Sequence, residues 1–192
     1  MTSRPKSLCL TVFAVGVVCV LAGCGSSTGG TAEPSSSTKT PSSTGPATDV
    51  PTGFDGCNLP QSFLDSEKLE NRGPDESDLG GGLKLRGCRY LRTDDGYGGY
   101  IRTTNLTVDM VRAKQFPETK ELTVDGRRAI SSRQFLGPNI KDSCTVDVEM
   151  KGGSLDINVN NPPSRKDTGK LDSCDIAKSL ADKIAPMIPA GA

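Results

Sequence analysis

Seven cysteines carry the most specific chemistry in this chain, and no histidine accompanies them. Without imidazole, Ser-His-Asp and Cys-His nucleophile pairs are excluded, as are His-ligated metal sites. Cys57, Cys88, Cys144 and Cys174 follow one another at intervals of 31, 56 and 30 residues. Zinc and redox sites use close pairs such as Cys-x-x-Cys, so this spacing argues for two disulfides. Four cysteines allow three connectivities. The expected one joins sequence neighbours, Cys57–Cys88 and Cys144–Cys174. Each bridge would close a loop of about 30 residues and contribute ~3–4 kcal/mol in the chain-entropy model.

The other three cysteines lie in an N-terminal address. Residues 1–7 carry Arg4 and Lys6 and no acid, and residues 8–22 are a 15-residue apolar run. A positive segment before a short apolar one reads as a signal peptide, since a transmembrane helix needs ~20 residues. Cys9 and Cys19 lie within it. Leu21-Ala22-Gly23-Cys24 then matches the lipobox of bacterial lipoproteins. That resemblance implies cleavage before Cys24 and acylation of its sulfur and its new amino group. At ~0.8 kcal/mol per buried methylene, two or three acyl chains anchor a protein essentially permanently.

Other candidate chemistry is weaker. Ser36-Ser37-Thr38-Lys39 fits an SxxK pattern, but it lies in low-complexity sequence that cannot position a nucleophile. Asp94-Asp95-Gly96 is a fragment of a calcium loop without its later ligands, and reads as a turn. Asp75, Glu76 and Asp78 read as charges of a solvated loop. Tyr97 and Tyr100, flanked by glycines, are the candidate binding aromatics. Arg86, Arg89, Arg92 and Arg102 cluster near one hairpin; two or three on one face would attract anionic lipid or wall polymer, but an exposed face with counter-charges is the more common reading. No metal site and no cofactor is expected. The chain has 23 basic and 23 acidic residues, which argues against a nucleic-acid partner.

Three segments must position these groups. Residues 1–23 are the signal peptide. Residues 24–52 are the acylated cysteine and a tether, in which 14 of the 28 residues after Cys24 are Ser or Thr. Such a composition buries too little apolar surface to fold. Residues 53–192 form one domain with 20 basic and 21 acidic residues. Within it, Asn58–Glu70 reads as a helix, and Gly73–Gly82 as a polar, glycine-rich loop. Leu83–Arg92 and Tyr100–Val108 read as strands around a turn, with a short helix over Asp109–Phe116. Asp125-Gly126 marks a tight hairpin between Glu121–Val124 and Arg127–Gln134. Cys144–Met150 alternates, with Cys144, Val146, Val148 and Met150 on one face and Thr145, Asp147 and Glu149 on the other. Leu155, Ile157 and Val159 answer it across Lys151-Gly152-Gly153. Ser173–Ile184 carries a helical stripe of Ile176, Ala177, Leu180, Ala181 and Ile184, with Asp172 or Ser173 as its cap. The fold class is α+β: a twisted antiparallel sheet, an N-terminal and a C-terminal helix covering one face, and two disulfides.

In order, "DGCNL" at 55–59, "GCRY" at 87–90, "VDGRRA" at 124–129, "SCTVDVEM" at 143–150 and "DSCDIAKSLADKI" at 172–184 resemble an actinobacterial family of cell-envelope lipoproteins with a domain of unknown function, the LprB/LprC-like group. The resemblance implies a lipidated protein on the extracytoplasmic face of the cell membrane. It supplies no catalytic residues. Two function classes remain open. One is a non-catalytic module that binds an envelope protein, lipid or wall component. The other is a carboxylate enzyme acting on wall polymer or lipid, which requires a carboxyl group of strongly raised pKa in a cleft.

Overall fold

A computed structural model describes residues 45–192. The signal-peptide, Cys24 and SxxK expectations lie outside the described residues, as does most of the tether. Seven strands form one antiparallel sheet: β1 (Leu69–Asp78), β2 (Lys84–Arg92), β3 (Gly98–Thr104), β4 (Lys120–Val124), β5 (Arg127–Ser132), β6 (Ser143–Met150) and β7 (Gly153–Asn160). Their spatial order is β1-β2-β3-β7-β6-β5-β4. Among the described residues three α-helices accompany them: α1 (Gln61–Glu67), α2 (Val108–Ala113) and α3 (Ser173–Ile184).

The two hairpins expected from turn chemistry are present. Asp125 and Gly126 hold φ of 49° and 73°, the mirror-turn geometry that suits the twist of β4 and β5. Lys151-Gly152 joins β6 to β7 with Met150 opposite Gly153. These central strands place Val146, Val148, Leu155, Ile157 and Val159 in the core. The stripe of α3 packs on them, and Asp172 caps the helix by accepting from the Cys174 amide at 2.7 Å. Cys174 is bonded to Cys144 on β6, and Cys57 to Cys88 on β2, the expected pairing. Phe63 of α1 enters the same core.

Two departures have clear physical causes. First, Gly73–Gly82 is not a loop throughout. Helix α1 stops at Glu67, Lys68 turns through φ 55°, and residues 69–78 pair with β2 as an edge strand. An edge strand faces solvent along one side, so its sequence is polar and carries no apolar alternation. Gly73, at φ 99°, and Pro74 sit at a register shift, where a residue without a pairing N–H is tolerated. Second, α1 and α3 cover one face as expected, but the short α2 lies on the other. Val108 and Val111 of α2 pack on Ile130 of β5, and Ile130 projects opposite to Ala129, which faces the α3 core. Strand β3 stops at Thr104 because Asn105 ties three segments together. Its amide donates to the Ala47 and Gly82 carbonyls, and its Oδ1 accepts from the Lys84 amide.

Candidate functional site

Residues paired directly across neighbouring strands project to the same face. On the face opposite α3, one such row reads Asp75 (β1), Gly87 (β2), Arg102 (β3), Asp156 (β7), Asp147 (β6) and Ile130 (β5). Gly87 has a structural reason to be glycine. A Cβ there would lie 2.2 Å from the Ile101 carbonyl oxygen and 3.0 Å from Arg102 Cγ. Its absence lets Arg102 lie across β2. Arg102 Nη1 donates to Asp75 Oδ2 at 2.8 Å, while Nε and Nη2 donate to Asp156 Oδ1 at 3.0 and 2.7 Å. One guanidinium thus serves two of three carboxyl groups in the row.

The third, Asp147, is fully buried and makes no ion pair among the described residues; its side-chain hydrogen-bond partners are the neutral Gln134 and Ser154. Gln134 Nε2 donates to its Oδ2 at 2.9 Å, and its Oδ1 lies 3.2 Å from Ser154 Oγ. Ser154 Oγ is also 2.7 Å from the Leu106 carbonyl, which can only accept. A hydroxyl has one proton, and the shorter contact takes it. The Asp147–Ser154 contact then needs a proton on Asp147. Electrostatics agree: burial first, then the neighbouring Asp156 charge, hold the Asp147 carboxyl well above the usual carboxylate range. Burial also raises Asp156, against the opposing pull of Arg102. This pair is the raised-pKa carboxyl that the enzyme reading requires. It is nonetheless sealed, since Asp147 is 0% and Asp156 4% exposed. The sequence pattern places Asp147 on an open face, because alternation alone does not reveal that α2 and Gln134 cover it. The Lys151-Gly152 turn does contain the signal that sets Asp147 opposite Asp156.

Farther along the same face the sheet is open. A groove of about 350 Å³ is lined by Arg72, Arg89, Leu91, Gly98, Tyr100 and Asn160, with backbone of Tyr90 and Gly99 beneath. Gly98 is its floor, paired to Leu91 on one side and Asn160 on the other. The Tyr100 ring stacks on the Arg102 guanidinium, 4.6 Å from centroid to carbon, so the groove adjoins the buried row.

The four clustered arginines separate. Arg86 pairs with Asp78, Arg92 with Asp167 at 3.2 Å, and Arg102 with Asp75 and Asp156. Among the described residues Arg89 alone of the four has no carboxylate partner; its Nη2 donates to the Arg72 carbonyl at 3.3 Å. Asp75, Glu76 and Asp78 are strand residues, and Asp75 and Asp78 are held by arginines. Tyr97 and Tyr100 are not brought together. Tyr100 borders the groove, whereas Tyr97 is buried in the α3-side core, where burial pushes its phenol up to about 12. Asp94 pairs with Lys68 and Asp95 with Arg165. Among the described residues no cluster of three potential metal ligands occurs. A second groove, of about 400 Å³, runs beside α3 over Tyr97, Leu171 and Leu180. Its charges are largely compensated, Glu67 by Lys183, Arg92 by Asp167 and Asp172 by Arg133.

The chain belongs to a family described as a protein of unknown function, DUF3558, whose family model matches residues 19–187. Neither a curated protein nor a solved structure matches it.

Proposed function

We propose that this DUF3558 protein is an actinobacterial envelope lipoprotein of the LprB/LprC-like kind, anchored through acyl chains on Cys24 to the extracytoplasmic face of the cell membrane. Its domain is a non-catalytic binding module. Two disulfides suit an oxidising compartment outside the cytoplasm. The family match begins at residue 19, inside the apolar run, so the segment around Cys24 belongs to the family pattern.

The observation that carries the binding reading is the division of the polar face. Its acid-rich half is closed, with both Asp147 carboxyl oxygens engaged. Its other half, over β1, β2, β3 and β7, holds an open groove lined by Arg72, Arg89, Tyr100 and Asn160. A carboxylate enzyme would need Asp147 or Asp156 to reach a substrate, and neither is open to one. The binding module acts by holding a ligand at a site its anchor keeps near the membrane.

Native mass spectrometry of the lipoprotein, extracted gently from its own membrane, tests this reading. A stoichiometric extra mass is expected. A ligand-free protein that turns over envelope substrates contradicts it. In parallel, Cys24→Ala is expected to leave the membrane fraction, and its retention there without its signal peptide contradicts the anchor.

A further inference from the structure

We infer that the groove over Gly98 binds an acidic oligosaccharide, with Arg89 and Arg72 taking the acidic group. This rests on the binding-module reading and names the class of its ligand. The lining contains two cations and no carboxylate. Arg89 is exposed and without an acid among the described residues, which is unusual in a domain whose arginines are otherwise mostly consumed by ion pairs. Arg72 pairs with Glu70 at 3.0 Å, but both side chains are about half exposed (44% and 52%), and such a surface pair is worth little and exchanges readily. Guanidinium groups recognise carboxylates and phosphates in forked geometry.

The remaining lining suits a hydroxyl-rich ring. The Tyr100 hydroxyl and the Asn160 side-chain amide have no hydrogen-bond partner among the described residues. They supply a phenol and an amide that donates and accepts. Leu91 and the Tyr100 ring give the apolar flank. Gly98 leaves the floor at backbone height, where a Cβ would meet Leu91 Cδ1 only at 3.7 Å.

Position favours a polymer over the anchoring bilayer. Gly98 begins β3, and Thr104 ends it beside Asn105, which binds the Ala47 carbonyl of the incoming chain. Six residue steps of strand separate the two ends, about 20 Å. The groove thus lies at the end of the sheet away from Ala47.

The test uses the mature lipidated protein in phosphatidylcholine nanodiscs, labelled with nitrogen-15. A galacturonate tetramer is the acidic probe and a galactose tetramer the neutral one. The acidic probe is expected to shift the Gly98, Tyr100 and Asn160 amides and the Arg89 Nε–H in a saturable way. Arg89→Gln and Gly98→Val, which alter charge and floor separately, are each expected to weaken binding at least tenfold. Equal binding of the neutral tetramer overturns the acid-group assignment. Equal shifts on nanodiscs containing 30% phosphatidylglycerol, with no sugar present, overturn the polymer assignment. If neither sugar nor lipid shifts the groove, the inference fails. A ligand mass retained by Arg89→Gln in native mass spectrometry would then leave the binding-module reading standing.

Discussion

Replacing Asp147 by Asn tests the electrostatics of the sealed row. A neutral Asp147 accepts from Gln134 Nε2 through one oxygen and donates to Ser154 Oγ through the other. Asparagine reproduces that pattern without needing a proton from solvent. In the unfolded chain Asp147 ionises near pH 4, whereas in the native chain its proton is held to higher pH. Above pH 4 the native state therefore binds one more proton than the unfolded state, and stability falls as pH rises. The slope of a one-proton difference is about 1.4 kcal/mol per pH unit. Asp147→Asn is expected to match wild type near pH 4 and to gain on it progressively until the native carboxyl itself ionises. Urea unfolding followed by circular dichroism at pH 4, 5, 6 and 7 measures the gap directly. A gap that does not change with pH, or a variant less stable than wild type at pH 7, refutes a protonated Asp147.

Gly87→Ala forces a Cβ to within 2.2 Å of the Ile101 carbonyl oxygen and crowds Arg102 off Asp75. It is expected to cost about 1–3 kcal/mol in thermal unfolding, and wild-type stability in this variant would contradict the row geometry. The double variant Cys144→Ala, Cys174→Ala frees the first turn of α3 from β6 and is expected to cost ~3–4 kcal/mol, read as a lower urea midpoint. Burial pushes the phenols of Tyr90 and Tyr97 up to about 12. Ultraviolet titration is therefore expected to show two tyrosines ionising about two units above the free side chain. Because their folded values are raised, stability is expected to decline from pH 10 upward. Ionisation of all three tyrosines near pH 10 in a folded chain would contradict this.

Legibility followed the strength of local signals. Asp125-Gly126 and the Cys144–Met150 alternation required tight turns and a pleated strand, and both formed where expected. The α3 stripe and its Asp172 cap fixed that helix to the residue. Strand β1 was illegible because an edge strand needs no apolar period; it is held by its ladder to β2 and by Asp75 and Asp78 reaching arginines on other strands. Arg133 was equally hidden. It is 1% exposed and donates to Glu118, Asp172 and the Lys141 and Ser143 carbonyls, joining the end of β5 to the α3 cap. At the candidate site, the sequence contained Tyr100 and the arginine cluster. Only the three-dimensional pairing revealed that Arg86, Arg92 and Arg102 are consumed and Arg89 is not.

The central claim is that the open half of the polar face holds a ligand. Native mass spectrometry of wild-type and Gly98→Val lipoproteins, extracted side by side from the same cells, tests it most directly. A one-to-one extra mass is expected on wild type, and a bare protein when valine fills the floor. The same extra mass on both would place the ligand elsewhere, and a bare wild type with an intact fold would contradict the claim.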